Sequence, residues 1–234
     1  MRLRALVLMV GVAVAFAPGV AVAAPPTLTG EVLSDPDPSV TGSCNPTGTS
    51  TVVFQSAGVP AGPYAAGSFV ETGAAAIGPQ PPYEGGGSFV AGEMTAFAAS
   101  FSIETPGATI TGVKMLDASS DGSGACRQVT SDPDIGNAKL VSAGAPLLTY
   151  EARIVTAEGT FVDRGRSALE VRRFTTDLAF PFASFSETFQ SSLTEPFRVP
   201  TSPDDCRNGG YQQFPELEFN SQGDCISYVN RSGG

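Results

Sequence analysis

Apolar and polar residues alternate most cleanly over residues 97–104. Phe97, Ala99, Phe101 and Ile103 share one face there, and Ala98, Ser100, Ser102 and Glu104 share the other. A period of two marks a half-buried strand. Thr105-Pro106-Gly107 supplies turn residues and Ile110 to Leu116 predicts a returning strand, so the pair reads as a hairpin. Leu148, Tyr150, Ala152 and Ile154 repeat the alternation, with Thr149, Glu151 and Arg153 facing away. Ala157-Glu158-Gly159 then turns the chain into Thr160 to Asp163. Shorter runs at Thr49 to Gln55, Gly67 to Thr72, Ser88 to Ala91, Ser167 to Phe174 and Ser184 to Ser191 bring the expectation to about nine strands. No long helix-period stretch interrupts them. The pattern predicts an all-β domain over residues 26–195, an antiparallel β-sandwich or barrel.

Gly67-Ser-Phe-Val70 recurs as Gly87-Ser-Phe-Val90. Four matched residues are two similar strand starts, not a repeat. Pro79 to Gly87, with Pro81-Pro82 and consecutive glycines, reads as a flexible loop.

The character changes after Pro196. Pro200 to Asp205 is a polar linker into a small module over residues 200–234. Phe219, Gln222, Ile226 and Val229 recur at spacings of three and four, which predicts one short helix, although Gly223 weakens it. Asn208-Gly209-Gly210 allows a tight positive-φ turn, and Tyr211, Phe214 and Phe219 are placed to form a small core. So short a segment buries too little to stand alone, so a disulfide staple is its natural support.

Residues 1–23 read as a signal peptide. Arg2 and Arg4 form a positive start, Ala5 to Ala17 an apolar stretch, and Ala21-Val22-Ala23 a small-residue cleavage site before Ala24. Pro18 cuts the apolar run to about 13 residues, short of the roughly 20 that a membrane span needs. The expectation is therefore a secreted or extracellular protein, cell-envelope association included, with no transmembrane segment in the mature chain. In an oxidising compartment Cys44, Cys126, Cys206 and Cys225 read as two disulfides. Four cysteines allow three connectivities. The composition shift near Pro196 separates the first two from the last two, which favours Cys44–Cys126 and Cys206–Cys225.

Charge and composition remove several functions. Cleavage at Ala24 takes the formal net charge from −10 to −12, which repels phosphate backbones and disfavours nucleic acid as a partner. The chain contains no His, so Ser-His-Asp and Cys-His catalysis and His-ligated zinc are excluded. No glycine-rich phosphate loop follows a strand. Paired carboxylates remain, as in glycoside hydrolysis, with Glu71, Glu93, Glu151, Glu187, Asp204 and Asp205 as candidates among 23 acidic residues. No cofactor is expected. The one metal worth weighing is Ca²⁺ near Asp117 and Asp121, with Ser131 to Asp134 as a second oxygen-rich loop. The spacing does not fit an EF-hand, and a cluster of Asp/Gly/Ser turns is the simpler reading. Tyr64, Tyr83, Tyr211 and Tyr228 are candidate sugar-stacking residues, with packing the commoner role for such a side chain.

Two segments carry a resemblance. Gly62-Pro-Tyr-Ala-Ala-Gly-Ser-Phe-Val-Glu-Thr-Gly73 follows Cys44-Asn-Pro-Thr-Gly-Thr-Ser, and Cys206-Arg-Asn-Gly-Gly-Tyr211 is followed by Phe219-Asn-Ser-Gln-Gly-Asp-Cys-Ile-Ser-Tyr-Val229. Together they resemble uncharacterised exported β-rich proteins of GC-rich bacteria. Those proteins carry the first segment with one residue fewer before the Gly corresponding to Gly67, and usually have Trp at Tyr211 and Asn at Ser221. The resemblance implies export, a β-rich body and a stapled tail, and carries no catalytic residues with it. The function expected is that of an exported non-catalytic protein contacting the cell envelope, through glycan or protein, or another extracellular partner. The alternatives are a carboxylate-type glycan-active enzyme and a carbohydrate-binding module.

Overall fold

The computed structural model describes residues 24–232, apart from 46, 86–88 and 179–180. The expected signal peptide lies outside the described residues. Eleven strands are defined: β1 (Val32–Asp35), β2 (Ser39–Ser43), β3 (Ser50–Gly58), β4 (Ser68–Ile77), β5 (Gly92–Glu104), β6 (Ala108–Leu116), β7 (Ser123–Asp132), β8 (Gly136–Thr156), β9 (Gly159–Thr176), β10 (Phe182–Ser191) and β11 (Phe197–Val199). The order across the sheet is β1-β10-β9-β8-β6-β5-β4-β3-β2, with β7 between β5 and β8 and β11 on β9. Every strand pair is antiparallel.

The sheet closes on itself. Val32 and Ala61 exchange both backbone hydrogen bonds, at 2.7 and 2.9 Å, joining the β1 end to the chain just beyond β3. Asp35 continues the seam by accepting from the Ala57 amide at 2.9 Å and the Ser56 hydroxyl at 3.1 Å. The result is a barrel, whose closure leaves few unpaired edges. The predicted hairpins are present, and β8 and β9 are far longer than alternation alone indicated. β8 breaks register between Ala145 and Leu148, where Pro146 lacks an amide donor. Residues 89–91 carry no strand, and β5 begins at Gly92. β11 pairs with β9 beyond residue 195, the expected edge of the body.

Alternate residues of the strands point inward and fill the barrel. Phe185 of β10 meets Phe54 of β3 at 5.9 Å and Phe69 of β4 at 6.0 Å, and Phe189 meets Phe101 of β5 at 5.3 Å. Room for these rings comes from two inward glycines. A Cβ on Gly112 would lie 2.3 Å from Phe101, and one on Gly73 would lie 2.5 Å from Phe54. Cys44–Cys126 ties the end of β2 to β7 across 82 residues.

The C-terminal module contains α1 (Pro203–Cys206), two 3₁₀ turns and α2 (Gln222–Ser232). Asn208 and Gly209 take positive φ at the predicted turn. Cys206–Cys225 staples a small core of Phe214 and Val229, against which Tyr211 and Phe219 pack. Phe219 precedes the helix instead of joining it, and its ring lies 5.5 Å from that of Tyr228. Among the described residues no helix is long and apolar enough to cross a membrane.

Phe185 is buried among two other rings, so its truncation leaves a void in the barrel centre. Phe185→Ala is expected to cost about 3–5 kcal/mol, measured as a lower denaturant midpoint at unchanged slope.

Candidate functional site

The barrel encloses charge as well as rings. On β6 the inward positions are Ile110, Gly112 and Lys114, so the lysine takes a core position while Val113 and Met115 face out. On β4 Glu71 follows Phe69 on the inner face, and on β10 Glu187 lies between Phe185 and Phe189. Lys114 Nζ donates to Glu71 Oε2 at 2.5 Å and also to Glu187 Oε2, and all three side chains are 0% exposed. The ammonium also lies 4.6 Å from the Phe101 ring centre and 4.8 Å from that of Phe189, within cation–π range. The second carboxylate oxygens, Glu71 Oε1 and Glu187 Oε1, are buried with no hydrogen-bond partner. Burial raises the Glu71 carboxyl well above the usual carboxylate range; Lys114 pulls it down, and the charge of Glu187 pushes it up again.

A second polar group lies near it. Asp163 of β9 accepts from the Tyr150 hydroxyl at 2.9 Å, the Ser191 hydroxyl at 2.5 Å and the Leu28 amide at 2.8 Å. Glu31 accepts the Tyr64 amide at 2.9 Å through Oε2, while its Oε1 is buried without a partner. Tyr64 donates its hydroxyl to the Pro26 carbonyl at 2.5 Å. Burial, then the Asp163 charge, pushes both the Tyr64 and Tyr150 hydroxyls above the usual phenol range. Tyr150 stacks edge-on against Phe189 at 5.3 Å, which links this group to the Lys114 cluster.

Of the six candidate carboxylates, the structure brings only Glu71 and Glu187 together. Glu151 lies on the outer wall paired with Arg164 at 2.8 Å, and Glu93 is exposed on β5. Asp204 and Asp205 belong to α1, where Asp204 pairs with Arg207 and Asp205 completes a capping box with Ser202. The oxygens of Asp117 are already engaged: Oδ1 accepts from the amide and hydroxyl of Ser119, and Oδ2 faces Arg166 at 3.1 Å. No group of three or more His, Cys, Asp or Glu side chains suited to a metal occurs among the described residues. The tyrosines do not form a row. Tyr64 is inside, Tyr83 stacks on Phe89 at 5.3 Å, and Tyr211 and Tyr228 belong to the C-terminal module.

Lys114 was not a sequence candidate, yet its phase was readable. It follows Ile110 at even spacing, as Glu71 follows Phe69 and Glu187 follows Phe185, so alternation alone places each on a core face.

The outside of the barrel offers a different surface. Strand registers set Val53, Ala74, Ala98 and Met115 side by side across β3, β4, β5 and β6. Val113 and Met115 are 55% and 61% exposed. Beside this row a groove of about 520 Å³ is lined by Thr72, Ser100, Val113, Glu151, Arg153 and Tyr228, so the C-terminal module forms one bank and the barrel wall the other. Thr72 and Ser100 share a hydrogen bond at 3.3 Å on its floor. Comparison with protein-family models, curated proteins and solved structures finds no match.

Glu31 gives a pH-dependent test of the interior. Burial raises its folded-state pKa, so the folded chain binds that proton more tightly than the unfolded chain. The associated stability is complete below the ordinary carboxylate range and is lost as pH rises through the raised value. Glu31→Gln removes that loss. The variant is expected to be more stable than the parent at neutral pH, with the gap closing as pH falls from the raised value to the ordinary carboxylate range, read by denaturant unfolding across pH.

Proposed function

We propose that this is an exported, non-catalytic binding protein that docks on the cell envelope or another extracellular partner through the outer wall of β3 to β6 and the groove beside Tyr228. The observation carrying this reading is the separation of chemistry from solvent. The two candidate carboxylates that meet are sealed inside the barrel, whereas the accessible wall presents Val53, Val70, Val113 and Met115 around hydroxyl-bearing positions. A glycosidase needs its two carboxyl groups on either side of an open cleft. An exposed apolar patch rimmed by polar residues fits recognition instead. Two disulfides suit an oxidising compartment, which supports export.

Within this reading a glycan is the favoured occupant of the groove, because Tyr228 lines it together with the hydroxyls of Thr72, Ser100, Ser102 and Thr111. Aromatic faces and hydroxyl donors are what a sugar surface requires.

The test is sedimentation of the mature protein with isolated cell envelopes. The parent is expected in the pellet, and Val113→Asp/Met115→Asp and Tyr228→Ala are each expected to weaken binding about tenfold or more, equivalent to about 1.4 kcal/mol. Equal partitioning of parent and variants would reject the wall as the docking surface. Turnover of a polysaccharide that Glu151→Gln abolishes would replace this reading with an enzymatic one.

A further inference from the structure

The Lys114 cluster has more reactive chemistry than a structural ion pair needs. A primary amine touches two carboxyl groups in a sealed, ring-lined interior. If all three groups are ionised the cluster carries a net negative charge, and each carboxylate keeps one buried oxygen without a partner. Buried ions in such surroundings are costly unless every lone pair is satisfied. One covalent step removes the problem, because condensation of the amine with a carboxyl leaves no ion in the core.

We propose that Lys114 and Glu71 condense into an intramolecular amide that cross-links β6 to β4, with Glu187 as the proton relay. The strands hold the two groups in place, with Nζ at 2.5 Å from Glu71 Oε2. Such fixed proximity is worth effective concentrations of about 10⁵–10⁸ M. Exclusion of water removes the competing hydrolysis. Burial favours the neutral acid form of Glu71, which is the form that can lose its hydroxyl.

The atoms balance without any other reactant. The Lys114 ammonium passes a proton to the Glu187 carboxylate, and the freed lone pair of Nζ attacks Cδ of Glu71. As the tetrahedral centre collapses, the Nζ–Cδ bond is retained and a Cδ–O bond breaks. Glu187 returns a proton to the departing hydroxyl, which leaves as water, and takes the surplus proton from nitrogen. The products are a neutral amide, one water and a neutral Glu187 acid. No atom changes oxidation state. This proposal is independent of what docks on the outer wall, and its readout is a mass, not binding.

The test is the intact mass of the mature protein, reduced and denatured. The expected result is a deficit of about 18 Da from the sequence mass, the water expelled on forming one amide. Fragmentation is expected to place the deficit in a branched peptide joining Glu71 to Lys114. Lys114→Met and Glu187→Gln are expected to show their full sequence masses. A parent at full sequence mass would overturn the proposal, and so would a deficit mapped to any other pair of residues. The parent measurement alone decides the matter even if a variant fails to fold.

Discussion

The meeting of Lys114 with Glu71 and Glu187 in the centre of a closed barrel is the interaction on which the arrangement depends. It places a charge at a core position of β6. Ile110 and Gly112 set the inward face of that strand, and Lys114 falls on it while Val113 and Met115 face out. Glu71 and Glu187 arrive from β4 and β10 to meet the lysine there, and Phe101 and Phe189 give it two ring faces. Leaving either partner unpaired in that interior would cost several kcal/mol. The cluster therefore specifies register across three strands that are not neighbours in the sheet.

The same alternation shapes the outer surface. Where a strand turns a charged side chain inward its neighbours face out, so exposed Val70 accompanies buried Glu71 and exposed Val113 and Met115 flank buried Lys114. The recognition surface and the sealed polar core are thus two sides of one pattern. The C-terminal module, stapled by Cys206–Cys225, completes the surface by placing Tyr228 beside the wall.

Much of the body was legible in the residues. Alternation at 97–104 and 148–154 located β5 and β8, Thr105-Pro106-Gly107 and Gly159 located their turns, and the composition shift near Pro196 separated the cysteines into the pairs observed. The short helix after Phe219 was also indicated by its spacing. Strand lengths were not, because β8 and β9 run through Gly144 and Gly165, which read locally as breaks and are held in the ladder by their neighbours, and β8 continues past the register break at Pro146. Glu71 and Glu187 stood among many acids with nothing local to join them. Their meeting depends on barrel closure, a contact across 116 residues of chain that no spacing rule encodes. Lys114 was overlooked for a simpler reason: a charged residue at a core phase looks like a surface residue unless its partners are known.

The most direct test of the central role of Lys114 is the equilibrium stability of Lys114→Met beside that of Lys114→Met/Glu71→Leu/Glu187→Leu. The methionine alone leaves two carboxyl groups buried without their Lys114 partner and is expected to lose about 3–5 kcal/mol, whereas removing the carboxylates as well is expected to recover part of that loss. A Lys114→Met protein as stable as the parent would contradict the account.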